Sequence, residues 1–129
     1  MLQRMLLAAA CSAAAPWAVG CLLPPEAGAV LTGDGLQLAW KAAPAPIVAG
    51  RPFAIQMQAC PADARVLRVD ATMPDHRHGM NYRPSLKPLG GGRWRAEGLL
   101  WHMAGRWELQ VDVDAGGRRQ VLRQSVTLP

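Results

Sequence analysis

Between Arg106 and Asp114 the chain reads RWELQVDVD. In an extended backbone Trp107, Leu109, Val111 and Val113 fall on one side, and Glu108, Gln110, Asp112 and Asp114 on the other. Successive side chains of a strand point to opposite faces, so this alternation specifies a strand with one face in a core and one towards water. The same period returns in LQLAW (36–40), with Leu36, Leu38 and Trp40 together, and in PFAIQMQA (52–59), with Phe53, Ile55 and Met57 together. RVLRVDATM (65–73) aligns Leu67, Val69, Ala71 and Met73 on an inward face. Weaker runs cover YRPSLKP (82–88), then RWRAEGLL after a triple glycine, with Trp94 and Ala96 as core candidates. RRQVLRQSVTLP follows the hairpin turn AGG. Prolines at 44, 46, 52, 61, 74, 84 and 88 exclude long helices across the body of the chain. About seven strands in about a hundred residues predict an all-β fold, an antiparallel immunoglobulin-like β-sandwich preceded by a signal helix.

The N-terminus sets the compartment. Arg4 is followed by an uncharged apolar run from Met5 to Val19, too short for a membrane span of ~20 residues but shaped like a secretory signal. AVGC (18–21) resembles the lipobox of bacterial lipoproteins, with Ala18 in the place of the usual Leu. The expected organisation is a signal peptide over 1–20, a Pro- and Gly-containing tether over 21–34 and one domain over 35–129. Export places the domain on the periplasmic side of a bacterial membrane, in an oxidising setting. Two uses of Cys21 follow. It carries a lipid anchor, which leaves Cys60 a small buried thiol, or it forms a disulfide with Cys60.

The net charge is +5, and without Arg4 the balance is 13 basic residues against 9 acidic. The basic residues are scattered singly apart from Arg118–Arg119, which argues for a solvated face and against a nucleic-acid partner. No Ser-His-Asp set, acid pair or phosphate loop is legible, so an enzyme is not expected.

All three histidines sit in connections: MPDHRHGM (73–80) and WHMAGRW (101–107). These follow the third and fifth expected strands. Antiparallel strands reverse direction each time, so both connections, and APAPIVAG (43–50) after the first, are expected at one end of the sandwich. His76 and His78 are two apart and share a side in extended backbone, with Arg77 pointing away. Gly79 permits a turn that swings Met80 back towards them. Imidazole serves zinc and copper, whereas thioether sulfur favours copper(I). A rim site of His76, His78, Met80, His102 and Met103 therefore points to copper. Asp75 in the set turns it towards zinc. Trp101 is a candidate to lay its ring over a cuprous ion. Against these stand plainer roles: Met73 continues an inward face and belongs to the core, Met103 is as readily core as ligand, and HRHGM is readable as a shaped turn.

MPDHRHGM followed by RWRAEGLLWHMAGRWELQVDV resembles the YtkA-like domain, which is similar to FixH-type accessory proteins. The shared elements are Met73–Pro74, the turn His76–Met80, the strand Arg93–Gly98, and Met103–Val111 in the form MxGxWxLxV. The likeness spans Val66 to Val113, and more loosely Leu36 to the end. It implies a small exported or membrane-tethered β-sandwich, with copper handling as the associated role and His76, His78 and Met80 as the positions carried over. FixH proteins usually keep a transmembrane helix, where this chain has only the short leader. The expectation is an exported copper-binding accessory protein that exchanges copper with a donor or acceptor protein from a shallow rim. The alternative is a metal-free periplasmic interaction or assembly module.

Overall fold

The structure, a computed structural model, describes residues 21–129; the expected signal helix at 1–20 lies outside them. Nine strands follow in order: β1 (Ala29–Gly33), β2 (Leu36–Ala43), β3 (Pro52–Cys60), β4 (Arg65–Met73), β5 (His78–Gly79), β6 (Ser85–Gly90), β7 (Arg93–Leu100), β8 (Gly105–Ala115) and β9 (Arg118–Leu128). They form two antiparallel sheets, β1-β2-β3-β7-β6 and β5-β4-β8-β9. No described helix is long and apolar enough to cross a membrane. The described residues are thus all-β, as the alternation requires.

Both sheets feed one core. Leu38, Ile55, Met57, Ala96 and Leu99 from the first meet Val69, Ala71, Met73, Trp107, Leu109, Val111 and Val113 from the second. Burying each large aliphatic side chain contributes about 1.5–3 kcal/mol, so these alternate positions decide which face of each strand turns inward. The β8–β9 hairpin turns through Gly116 and Gly117, both at positive φ (61° and 77°), as a two-residue hairpin turn demands.

Three departures from the sequence reading have local causes. The stretch 21–34 is not a free tether: Pro25–Ala27 forms a 3-10 turn, and β1 pairs with β2 through a two-residue turn at Asp34–Gly35. That Asp-Gly pair is a strong hairpin signal, and it adds one strand to the expected seven; the two-residue β5 adds another. In β4 the register slips between Val66 and Arg68, so Val66 is buried and Leu67, assigned to the core, is 39% exposed. Asp112 does face away from the core, yet it is 1% exposed, because Arg119 and Gln110 bond to its carboxylate from neighbouring outward positions.

The ends of the sandwich differ in chemistry. At one end lie the connections 44–51, 74–77 and 101–104. The Gly50 N–H donates to the Trp101 carbonyl there (2.8 Å). At the other lie the β1–β2 and β8–β9 turns, tied by an Arg118–Asp34 ion pair of 2.7 Å. Cys60 closes β3 at this second end and is bridged to Cys21, with a Cα–Cα distance of 5.6 Å.

Candidate metal centre

The 74–77 connection is a tight hairpin turn between β4 and β5. Met73 is the cross-strand partner of His78, the His76 N–H donates to the Met73 carbonyl (3.0 Å), and Met80 N–H to the Ala71 carbonyl (3.1 Å). The residue that turns the chain is Arg77, at φ 54°; Gly79 is not in the left-handed region. The expected extended spacing of His76 and His78 is therefore replaced by a turn, and the turn itself stacks the two rings. Cross-strand pairing with Met73 puts His78 on the inward side of β5 at the rim, where it is half-buried, while His76 stays exposed.

Asp75 is committed elsewhere. It accepts from Arg106 twice, Nε at 3.2 Å and Nη2 at 3.0 Å, which fastens the turn to the start of β8. The hydrogen bonds and charge of Arg106 hold the Asp75 carboxyl below its usual range, with a smaller contribution from His76. A carboxylate engaged this way anchors the turn.

The second histidine segment meets the first. His102 is exposed in the β7–β8 connection, and its ring centre lies 5.1 Å from that of His78, the planes tilted by 36°. His76 and His78 are 5.7 Å apart and more nearly parallel, at 25°. Two imidazoles on one ion, each bonded at about 2.0–2.1 Å, place their ring centres about 5–6 Å apart. Both spacings fall in that range. His78 is common to both pairs. Among the described residues, however, no group of three or more His, Cys, Asp or Glu side chains is placed to hold an ion. The three imidazoles make two adjacent pairs, not a closed triad.

The sulfur candidates adjoin these histidines in sequence. Met80 and Met103 are half-buried and pack against the core, and Met73 is fully buried, a core residue. Met80, two residues after His78, shares its side of the extended backbone and also lines a cavity of about 230 Å³ beside Arg68, Asp70 and Tyr82. The Met103 carbonyl accepts from Trp107 Nε1 at 3.0 Å, which fixes the backbone next to His102.

The aromatic contact falls to a different tryptophan from the one expected. Trp101 is fully buried, stacked on Trp107 (5.3 Å, 10°) and edge-on to Phe53 (5.3 Å, 86°). Trp107, read from the sequence only as core, is the ring under the histidines: 5.5 Å from His102 and 6.1 Å from His78, both edge-to-face. Arg106 was also missed. Both residues begin the strand that leaves the rim, so the argument that gathered the histidines at that end applied to them equally.

Cys21 is joined to Cys60. A Cα–Cα distance of 5.6 Å suits a disulfide, the second of the two uses the sequence allowed, and a sulfur so held has no valence left for a thioether-linked lipid. No family model matches the chain, and no curated protein or solved structure matches it.

Proposed function

We propose that the chain is an exported copper-handling protein, a soft-metal carrier on an immunoglobulin-like β-sandwich facing the bacterial periplasm. The carrying observation is the 5.1 Å approach of His78 and His102, from connections 24 residues apart in sequence. His78 and His102 supply two nitrogens to the cargo ion. His76 joins by rotating at its exposed turn, and Met80 and Met103 supply sulfur from the flanks. Two imidazoles with thioether support and no carboxylate suit copper(I) better than zinc, which takes four closed ligands in structural sites. The exposure of His76 and His102 keeps the ion open to ligand exchange with a donor or acceptor protein. Trp107 lies beneath as a cation–π floor. The resemblance to YtkA-like and FixH-type domains points the same way, and catalysis forms no part of this reading. Attachment to the membrane through Cys21 gives way to the bridge in this reading.

One observation favours the metal-free interaction module instead: the lack, among the described residues, of any closed group of three His, Cys, Asp or Glu ligands. Competitive copper(I) titration of the exported chain separates the two. The His78→Ala/His102→Ala variant is expected to bind at least ~100-fold more weakly. Met80→Leu/Met103→Leu is expected to weaken copper(I) but leave zinc nearly unchanged. Equal copper(I) affinity in wild type and the histidine variant overturns the reading.

A further inference from the structure

A cleft far from the histidines lies on the outer face of the first sheet. The segment after Cys21 crosses that face and is fastened to it at three points: the bridge to Cys60, the Lys41 Nζ donating to the Glu26 carbonyl (3.0 Å), and Gly28 packed on the backbone of Trp40. Gly28 has φ +115°, and a Cβ there would meet the Trp40 carbonyl oxygen at 2.0 Å, so only glycine lets the segment lie this close. Between segment and sheet remains a cleft of about 350 Å³, within the size range of small-molecule sites.

Its chemistry is specific. Pro24, Glu26 and Ala27 form the wall; Gln56 and Gln58 of β3 lie on the floor, with Lys41 of β2 and Arg93 of β7 on either side. Register places Lys41 beside Gln56, and Gln58 beside Arg93. The cations thus stand diagonally across β3, their Cα atoms roughly 12 Å apart from strand spacing and rise. Among the described residues neither makes an ion pair, in contrast to Arg95, which pairs with Glu97 at 2.7 Å. Arg93 makes only a 3.4 Å hydrogen bond to the Leu89 carbonyl, and the two glutamine amides make no described side-chain hydrogen bond. Two cations without a described ion pair and two amides without a described side-chain hydrogen bond thus share the cleft with one acidic neighbour, Glu26, and with Leu89 and Trp94.

We propose that this cleft binds a small di- or tricarboxylate, one carboxylate at Lys41, another at Arg93, and the chain between them over Gln56 and Gln58. Two separated charges select an anion whose charges are also separated, which a compact monoanion does not satisfy. Charge-assisted hydrogen bonds supply the affinity. The disulfide keeps the wall in place and so belongs to the site. This inference is independent of the copper reading and uses none of its residues.

Calorimetric titration of the full exported chain, bridge intact and at low salt, with acetate, succinate and citrate tests it. Saturable binding is expected for succinate and citrate, at least ~10-fold tighter than acetate. Lys41→Ala/Arg93→Ala is expected to weaken citrate at least ~10-fold, and Glu26→Gln to tighten it. Arg118→Ala/Arg123→Ala removes the same charge from β9 and is expected to leave binding unchanged. No saturable binding, equal affinity in the Lys41/Arg93 variant, or equal weakening in the β9 variant overturns the proposal. Unchanged citrate affinity in Cys21→Ser/Cys60→Ser overturns the role given to the wall.

Discussion

Gly105 is the position where fold and rim meet, and replacing it with alanine tests both. It opens β8 at φ +119°, outside the region that L side chains adopt, and a Cβ there would sit 3.0 Å from the terminal methyl of Met73. The backbone penalty is about 1–3 kcal/mol. Carbon atoms rest comfortably about 3.5–4.0 Å apart. Met73 is 0% exposed in the core, so its methyl must move by roughly half an ångström into packed neighbours, at about 1–3 kcal/mol. The sum is about 2–6 kcal/mol, and in a domain of about a hundred residues each kcal/mol shifts Tm by about 4–8 °C. Gly105→Ala should therefore lower the midpoint by ~10 °C or more in a thermal melt. Gly116→Ala provides the comparison: φ is +61° and nothing lies within 4 Å of the added carbon. Its cost is backbone strain alone, about 1–2 kcal/mol. Because Met73 is the cross-strand partner of His78, and Gly105 lies three residues after His102, the same displacement should spread the imidazole pair and weaken copper(I) in Gly105→Ala but not in Gly116→Ala. Equal destabilisation by the two substitutions would refute the close packing of Gly105 on Met73.

Two further outcomes follow from charge and crosslinking. At Asp112 burial raises the carboxyl pKa, but hydrogen bonds from Arg119 and Gln110 and the nearby charges of Arg119 and Arg68 outweigh it, leaving the group below its usual value of 3.8. A depressed carboxyl contributes stability above its unfolded pKa and loses it as pH falls through the folded one. Asp112→Ala should thus cost about 1–3 kcal/mol at pH 7 in urea melts, with the gap to wild type closing below about pH 4; a gap independent of pH would contradict this. The Cys21–Cys60 bridge spans 39 residues, for which the chain-entropy model gives about 4 kcal/mol. Intact mass of the purified protein should match two fewer hydrogens than the reduced chain, with no diacylglycerol added, and Cys60→Ser should lower the urea midpoint; a lipid mass on Cys21 would refute the bridge.

The sequence revealed most where the period was unbroken. β8 was legible residue by residue, since Trp107, Leu109, Val111 and Val113 leave no other face for the core. It failed where one extra residue changes the count. The slip at Val66–Arg68 inverts the side of Leu67 without altering composition, and alternation alone cannot locate such a bulge. It also failed at β1, where five residues with one buried side chain carry too little periodicity, although Asp34–Gly35 marked the hairpin. The rim was legible for a different reason. Counting reversals of an antiparallel chain fixes which connections share an end, whatever the residues are. The two missed strands left that count intact: β1 precedes both segments, and β5 is too short to cross the sandwich. What counting cannot supply is side-chain direction. Arg77 in the left-handed region and the Asp75–Arg106 clamp decide that His78 turns inward over Trp107 while His76 remains outside; no glycine marks the first, and the second joins residues 31 apart in sequence. The order of the candidate ligands therefore belongs to the turn: His78 is the pivot because it alone sits within ring distance of both other histidines. On that geometry His78→Ala should weaken copper(I) more than either His76→Ala or His102→Ala, and competitive titration of the three single variants checks the ranking.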